Sequence, residues 1–185
     1  MFISKLKMLG AGVAIFALMS TAAFAETVLN RGSAADPESL DPHKTSTTYE
    51  ADLLRDLFAG LMAQDKDANV IPGAAESYTV SADAKTYTFK LRANGKWSDG
   101  SPVTADDFVF SWQRAVNPDT ASEYAYLLAP VVNAEDITAK KMKLEDLGVK
   151  AIDPLTFEVT LKSPYISSSP ASKRLTAAPR SSLGI

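Results

Sequence analysis

No cysteine occurs in the 185 residues, although the chain opens with what reads as a leader for export, so disulfide staples are excluded in a compartment that would permit them. Lys5 and Lys7 form a basic start, Met8 to Met19 an apolar stretch, and Ala23-Phe24-Ala25 places small residues where a signal peptidase cuts. Cleavage is expected before Glu26. Gly10, Gly12 and Ser20 dilute a stretch already shorter than the roughly 20 residues of a bilayer span, so no membrane insertion is expected after cleavage. Stability must therefore come from a hydrophobic core or from a partner, and the roughly 160 remaining residues suffice for one core. The formal charge of −3 becomes more negative once Lys5 and Lys7 are removed, which argues against a nucleic-acid partner.

The mature chain begins with a short β-prone run, Thr27 to Asn30, and a polar stretch that ends in the turn Leu40-Asp41-Pro42. Thr45 to Tyr49 is β-branched and polar. It leads into Glu50 to Met62, where Leu53, Leu54, Leu57, Phe58 and Leu61 recur at helical spacing. The polar connection Asp65 to Asn69 and Pro72-Gly73 close this unit.

A second unit reads as an antiparallel meander with helices. Tyr78 to Val80 and Thr86 to Arg92 are strand-like, with Tyr87, Phe89 and Leu91 on one face. Asn94-Gly95 and Asp99-Gly100 are tight-turn dipeptides on either side of Lys96-Trp97-Ser98. Val103 to Val116 carries the strongest helix signal, with Thr104 as N-cap, Asp107 three residues later, and Val103 and Phe108 as a hydrophobic staple. Asn117-Pro118 stops it. Tyr124 to Val132 is expected to be helical, Lys140 to Asp146 a solvated charged turn, and Val149 to Ile152 with Phe157 to Leu161 a hairpin about Asp153-Pro154. Residues 166–185 contain six serines, two prolines, three basic residues and neither acid nor aromatic, so this tail is expected to be disordered.

Several motifs resemble the periplasmic oligopeptide-binding proteins, the peptide-binding members of solute-binding protein family 5. They are Leu40-Asp41-Pro42-His43-Lys44, Arg55-Asp56-Leu57-Phe58-Ala59-Gly60-Leu61, Gly73-Ala74-Ala75-Glu76-Ser77, the run from Lys96 through Asp99-Gly100 to Val109, Ser111-Trp112-Gln113-Arg114 and Leu147-Gly148-Val149. The resemblance covers about residues 27–165. It implies an α/β clamshell of the periplasmic-binding-protein type II kind, in which two lobes enclose a peptide and deliver it to an inner-membrane ABC transporter permease. By that resemblance, 1–25 is the signal peptide, 26–58 the first strand and helix of lobe I, 59–165 most of an accessory α/β domain, and 166–185 a non-homologous tail. Members of the family are about three times as long, so the chain is expected to be an N-terminal portion that binds peptide poorly. An out-of-frame reading, a premature end or a genuine short variant would each produce the loss of pattern after Tyr165.

The resemblance also implies a ligand segment. Thr45, Ser46, Thr47 and Thr48 match the part of lobe I that pairs with the peptide backbone, by β-augmentation. Where the family carries Glu-Gly-Val, this chain has Ser46-Thr47-Thr48, which leaves backbone pairing available but lacks the glycine that allows closest approach. The same residues also fit a plain strand leading into a helix.

Other constellations have structural explanations. Asp65, Asp67, Asn69, Ile71, Gly73 and Glu76 follow a calcium-loop spacing, but Val70 stands where the turn wants glycine and Pro72 interrupts it. His43, the sole histidine, lacks a second ligand for a metal and is assigned to a turn. Asp106 and Asp107 suit the first turn of a helix, and Lys140, Lys141 and Lys143 lie among acids. No nucleophile elbow or phosphate loop is present, so no enzyme, metal or cofactor is expected. A stand-alone exported interaction module is the competing reading.

Overall fold

The computed structural model describes Val28, Asn30 and residues 32–164. The leader, Thr27 and Leu29 of the expected Thr27–Asn30 strand, and the tail from Tyr165 onward lie outside the described residues. The secondary structure of the described residues falls in the unit that begins at Ser33.

Helix α1 spans Thr48–Leu57 and starts on a reciprocal cap. The Glu50 carboxylate accepts hydrogen bonds from the Thr47 backbone N–H and hydroxyl, while the Glu50 N–H donates to Thr47 Oγ1. The helix expected to reach Met62 stops at Leu57, because the chain turns extended at Phe58 and delivers Leu61 and Met62 to a hairpin. Strand β1 (Met62–Gln64) pairs antiparallel with β2 (Val70–Pro72). Gly73 closes this hairpin against Gly60. A Cβ at Gly73 would stand 2.4 Å from the Gly60 carbonyl oxygen, so no side chain fits.

Four antiparallel strands follow, in the spatial order β3-β4-β6-β5: β3 (Ala75–Val80), β4 (Thr86–Leu91), β5 (Val149–Asp153) and β6 (Thr156–Thr160). Period-two alternation decides which face is buried. Tyr87, Phe89 and Leu91 of β4, and Phe157 and Val159 of β6, face inward and are almost fully buried. The intervening Thr88, Lys90 and Glu158 face out and pair with one another's neighbours, as in Lys90 Nζ to Thr156 Oγ1 at 2.6 Å and Lys150 Nζ to Glu158 at 2.9 Å.

Helix α2 (Ala105–Val116) lies on the inner face, and its Phe108, Trp112, Ala115 and Val116 are buried there. As the sequence predicts, Asp107 caps it: the carboxylate accepts from the Thr104 N–H at 2.7 Å and from the Thr104 hydroxyl at 2.9 Å. Phe157 is the hub of the core, with ring centroids 5.8 Å from Phe108, 6.2 Å from Phe89 and 5.3 Å from Trp112, the last in a T-shaped arrangement. Burying each such ring contributes about 2–3 kcal/mol.

The helix expected over Tyr124–Val132 is reduced to one 3-10 turn, Ala125–Leu128, because Val131 pairs with Leu161 and continues the sheet. A short helix, α3 (Ala134–Thr138), follows and buries Ile137. Gly148 then enters β5 so close to Val132 that an added Cβ would meet the Val132 Cβ at 2.8 Å.

Candidate functional site

The four residues matched to a ligand segment lie where the polar N-terminal stretch enters α1. Thr45 and Ser46 belong to no helix or strand, Thr47 is the extended N-cap residue, and Thr48 is the first residue of α1. Thr45 is buried and Ser46 is exposed. The Ser46 carbonyl accepts a hydrogen bond of 3.2 Å from the Tyr124 hydroxyl, and the Tyr126 ring stands 6.2 Å from that of Tyr124. No local pattern in the sequence links either tyrosine to Ser46, 78 residues before Tyr124.

Both ends of the segment are pinned. Downstream, the buried Glu50 carboxylate also accepts from the backbone N–H groups of Glu38 and Ser39, at 3.0 and 3.3 Å, and so ties the preceding loop to α1. The Thr47 hydroxyl and then these backbone donors hold Glu50 below its usual carboxylate range.

Upstream, Asp41-Pro42-His43-Lys44 forms a turn closed by the Lys44 N–H on the Asp41 carbonyl at 3.0 Å. Asp41 accepts a bidentate pair from Arg114 of α2, at 2.8 and 2.6 Å, together with the His43 N–H at 3.1 Å. Arg114 Nη1 also lies 2.7 Å from His43 Nδ1. Arginine has only donors, so Nδ1 is the acceptor, the proton sits on Nε2, and Nε2 donates to Ser111 Oγ at 3.3 Å. The Arg114 hydrogen bond lowers Asp41 to about 2. Burial, and then the neighbouring guanidinium, lower His43 to about 4. The turn predicted for His43 is present, and the buried link from it to α2 is an addition. Its one sequence signal is Ser111 and Arg114, two polar residues one helical turn apart on a helix whose opposite face is apolar.

This turn borders a cleft of about 410 Å³, whose lining combines the polar Asp41, His43, Ser111 and Arg114 with the aromatic Phe58, Trp97 and Phe110. Phe110 adjoins Ser111 on α2, whereas Phe58 and Trp97 come from segments far from it in the chain, so the spacing of the aromatic members carries no common motif.

The remaining candidates are placed as structure. Asp65 accepts from the N–H groups of Asp67 and Asn69, both at 2.9 Å, and from the Asn69 amide at 3.0 Å, so it organises the β1–β2 connection. Glu76, the last position of the calcium-like spacing, lies beyond that hairpin in β3. Lys140 pairs with Asp119 at 3.2 Å and Lys141 with Asp136 at 3.9 Å, on an exposed mixed-charge face. Among the described residues no helix is long and apolar enough to cross a membrane.

The family model of the bacterial extracellular solute-binding proteins, family 5 middle, matches residues 69–183. That match extends past Tyr165, into the segment set apart in the sequence. The periplasmic oligopeptide-binding protein OppA of Salmonella typhimurium is 44% identical over 175 residues, which covers 88% of this chain and 32% of the relative. The OppA of Escherichia coli is 50% identical over 138 residues, covering 74% of this chain and 25% of the relative. Among solved structures, Haemophilus influenzae OppA in complex with RPPGFSPFR superposes with a TM-score of 0.69 at 47% identity, covering 71% of this chain and 26% of that one. The chain thus spans about a quarter to a third of the length of the curated relatives it matches.

Proposed function

Because the chain belongs to the bacterial extracellular solute-binding proteins of family 5, we propose that it provides part of the peptide-binding component of an ABC importer, working in the periplasm beside an inner-membrane permease. Its described residues form part of that family's α/β clamshell of the type II periplasmic-binding class. It acts by enclosing a ligand and not by catalysis.

Within this reading, Thr45, Ser46, Thr47 and Thr48 supply one wall of the peptide site. The observation that carries the assignment is the exposed residue Ser46 between two fixed ends, His43 upstream and Glu50 downstream, with the Tyr124 hydroxyl on the Ser46 carbonyl. A backbone held in place before a ligand arrives pairs with extended peptide at less entropic cost. Tyr124 joins the site as the residue that orients that carbonyl.

One wall cannot desolvate a peptide on both sides. The chain by itself is therefore expected to bind peptide weakly, with no saturable heat below about millimolar ligand. The reading is tested by replacing the matching region of Salmonella OppA with residues 33–164 of this chain. A folded chimera that retains peptide binding, and loses about tenfold in affinity on Ser46→Pro, supports it. A folded chimera indifferent to Ser46→Pro removes Ser46 from the site.

A further inference from the structure

The Asp41–His43–Arg114–Ser111 cluster holds the chain immediately before Thr45, and its stability as drawn requires one protonation state. We propose that this cluster is a proton-operated anchor: neutral His43 docks the 41–44 turn on α2, and proton uptake by His43 releases the turn and with it the main chain of 45–48.

The geometry leaves a protonated imidazole no place in the docked turn. His43 is buried, at 4% exposure, and Nδ1 is the only ring atom that can accept the Arg114 hydrogen. A proton on Nδ1 would set two donors and two positive charges face to face at 2.7 Å. The Asp41 charge favours the imidazolium, but less than burial and the guanidinium oppose it, and both Asp41 oxygens are already held by Arg114. The other groups facing His43 are few. From α2 come Ser111, which is neutral, and Asp107, whose carboxylate is engaged by the Thr104 N–H and hydroxyl. Phe58 and Trp97 line the same cleft from α1's end and the 96–100 turn, and neither titrates. Lys44, next in the chain, is exposed and positive. No neighbour therefore favours imidazolium except the one carboxylate already committed to arginine.

The direction with pH follows. A histidine held at about 4 in the docked state and at its ordinary 6.5 when released binds more protons when released. Docking is fully favourable above about pH 6.5 and weakens as the pH falls towards 4, by about two orders of magnitude in the docking equilibrium across that window. Asp41 adds a second, lower step between its ordinary 3.8 and about 2. The consequence for peptide, a loss of affinity on acidification, rests on the function proposed above; the anchor itself does not.

His43 is the only histidine in the chain, so its imidazole resonance needs no assignment. The test is an NMR titration of the whole chain, following that resonance and the amides of His43 and Lys44. The expected result is a midpoint near 4, with the two amides losing protection between pH 6.5 and 4. Arg114→Gln should move the midpoint up by at least one pH unit, and His43→Gln should abolish the amide step while the α2 amides stay protected. Should either variant unfold, Arg114→Lys keeps a cation beside the ring, and its midpoint should stay below 6. A wild-type midpoint near 6.5, or an unchanged amide step in His43→Gln, overturns the proposal. If the step is present while the OppA chimera described above binds no peptide at any pH, the anchor stands and the peptide reading falls.

Discussion

Phe157 meets Phe89, Phe108 and Trp112 at the point where sheet and helix are closest, so its removal leaves a void that three rigid rings cannot fill. Phe157→Ala is expected to lower stability by about 3–5 kcal/mol, read from urea unfolding followed by tryptophan fluorescence. Asp41 makes a different kind of contribution. Its folded value lies below its unfolded one, so while the turn is docked the stability that its own ionisation confers is complete above about pH 4 and is lost as the pH falls towards 2. Allowing for its partial exposure, Asp41→Asn should cost about 1–2 kcal/mol at pH 7 and little at pH 2, measured by urea unfolding at both values. The residue pattern places Phe89 on one face with Tyr87 and Leu91 and puts Phe157 in a strand, because alternation is local. It could not show that Asp41 meets Arg114, since a salt bridge between residues 73 apart leaves no trace in spacing.

Helix α2 illustrates how far a local signal reaches. Thr104, Asp107, Val103 and Phe108 define its start within six residues, and the cap forms as read. Asp107→Ala should lower the melting temperature of the chain by a few degrees, equivalent to about 1 kcal/mol. The β3–β4 connection offers a gain instead. Ala84 there has φ 54°, in the left-handed region that disfavours any Cβ, so Ala84→Gly is expected to raise stability by about 0.5–1 kcal/mol in the same unfolding assay. The elements misjudged from sequence are those whose ends are set by tertiary contacts. Leu61 and Met62 continue the helical spacing of α1, yet the Gly60–Gly73 approach draws them into a hairpin. Tyr124–Val132 is apolar enough for a helix, yet its end is taken by the bridge from Val131 to Leu161. Helix α3 has five residues, too few for a periodicity to register.

Across the whole of the described chain, one continuous apolar cluster runs from Leu61 to Leu161, and α1 takes no part in it. Residues 33–58 bury Leu54 of α1 but leave Leu40 and Leu57 exposed, and the contacts named above that join them to the rest are polar, from Asp41 and His43 to α2 and from Ser46 to Tyr124. Limited proteolysis should therefore cut before Leu61 first and leave a resistant fragment of about residues 61–164, identified by mass spectrometry; equal cutting throughout would show that the cluster does not fold as a unit. The sequence by itself determined the antiparallel strands, the capped helix that covers them, the cysteine-free core and the family resemblance, because each follows from spacing within a few residues or from ordered motifs. Only the tertiary structure decided where α1 stops, which side chains anchor the Thr45–Thr48 segment, and that a buried imidazole must remain neutral beside arginine. Those outcomes depend on which distant groups meet and how little water remains between them, and neither quantity is written in the order of residues along the chain.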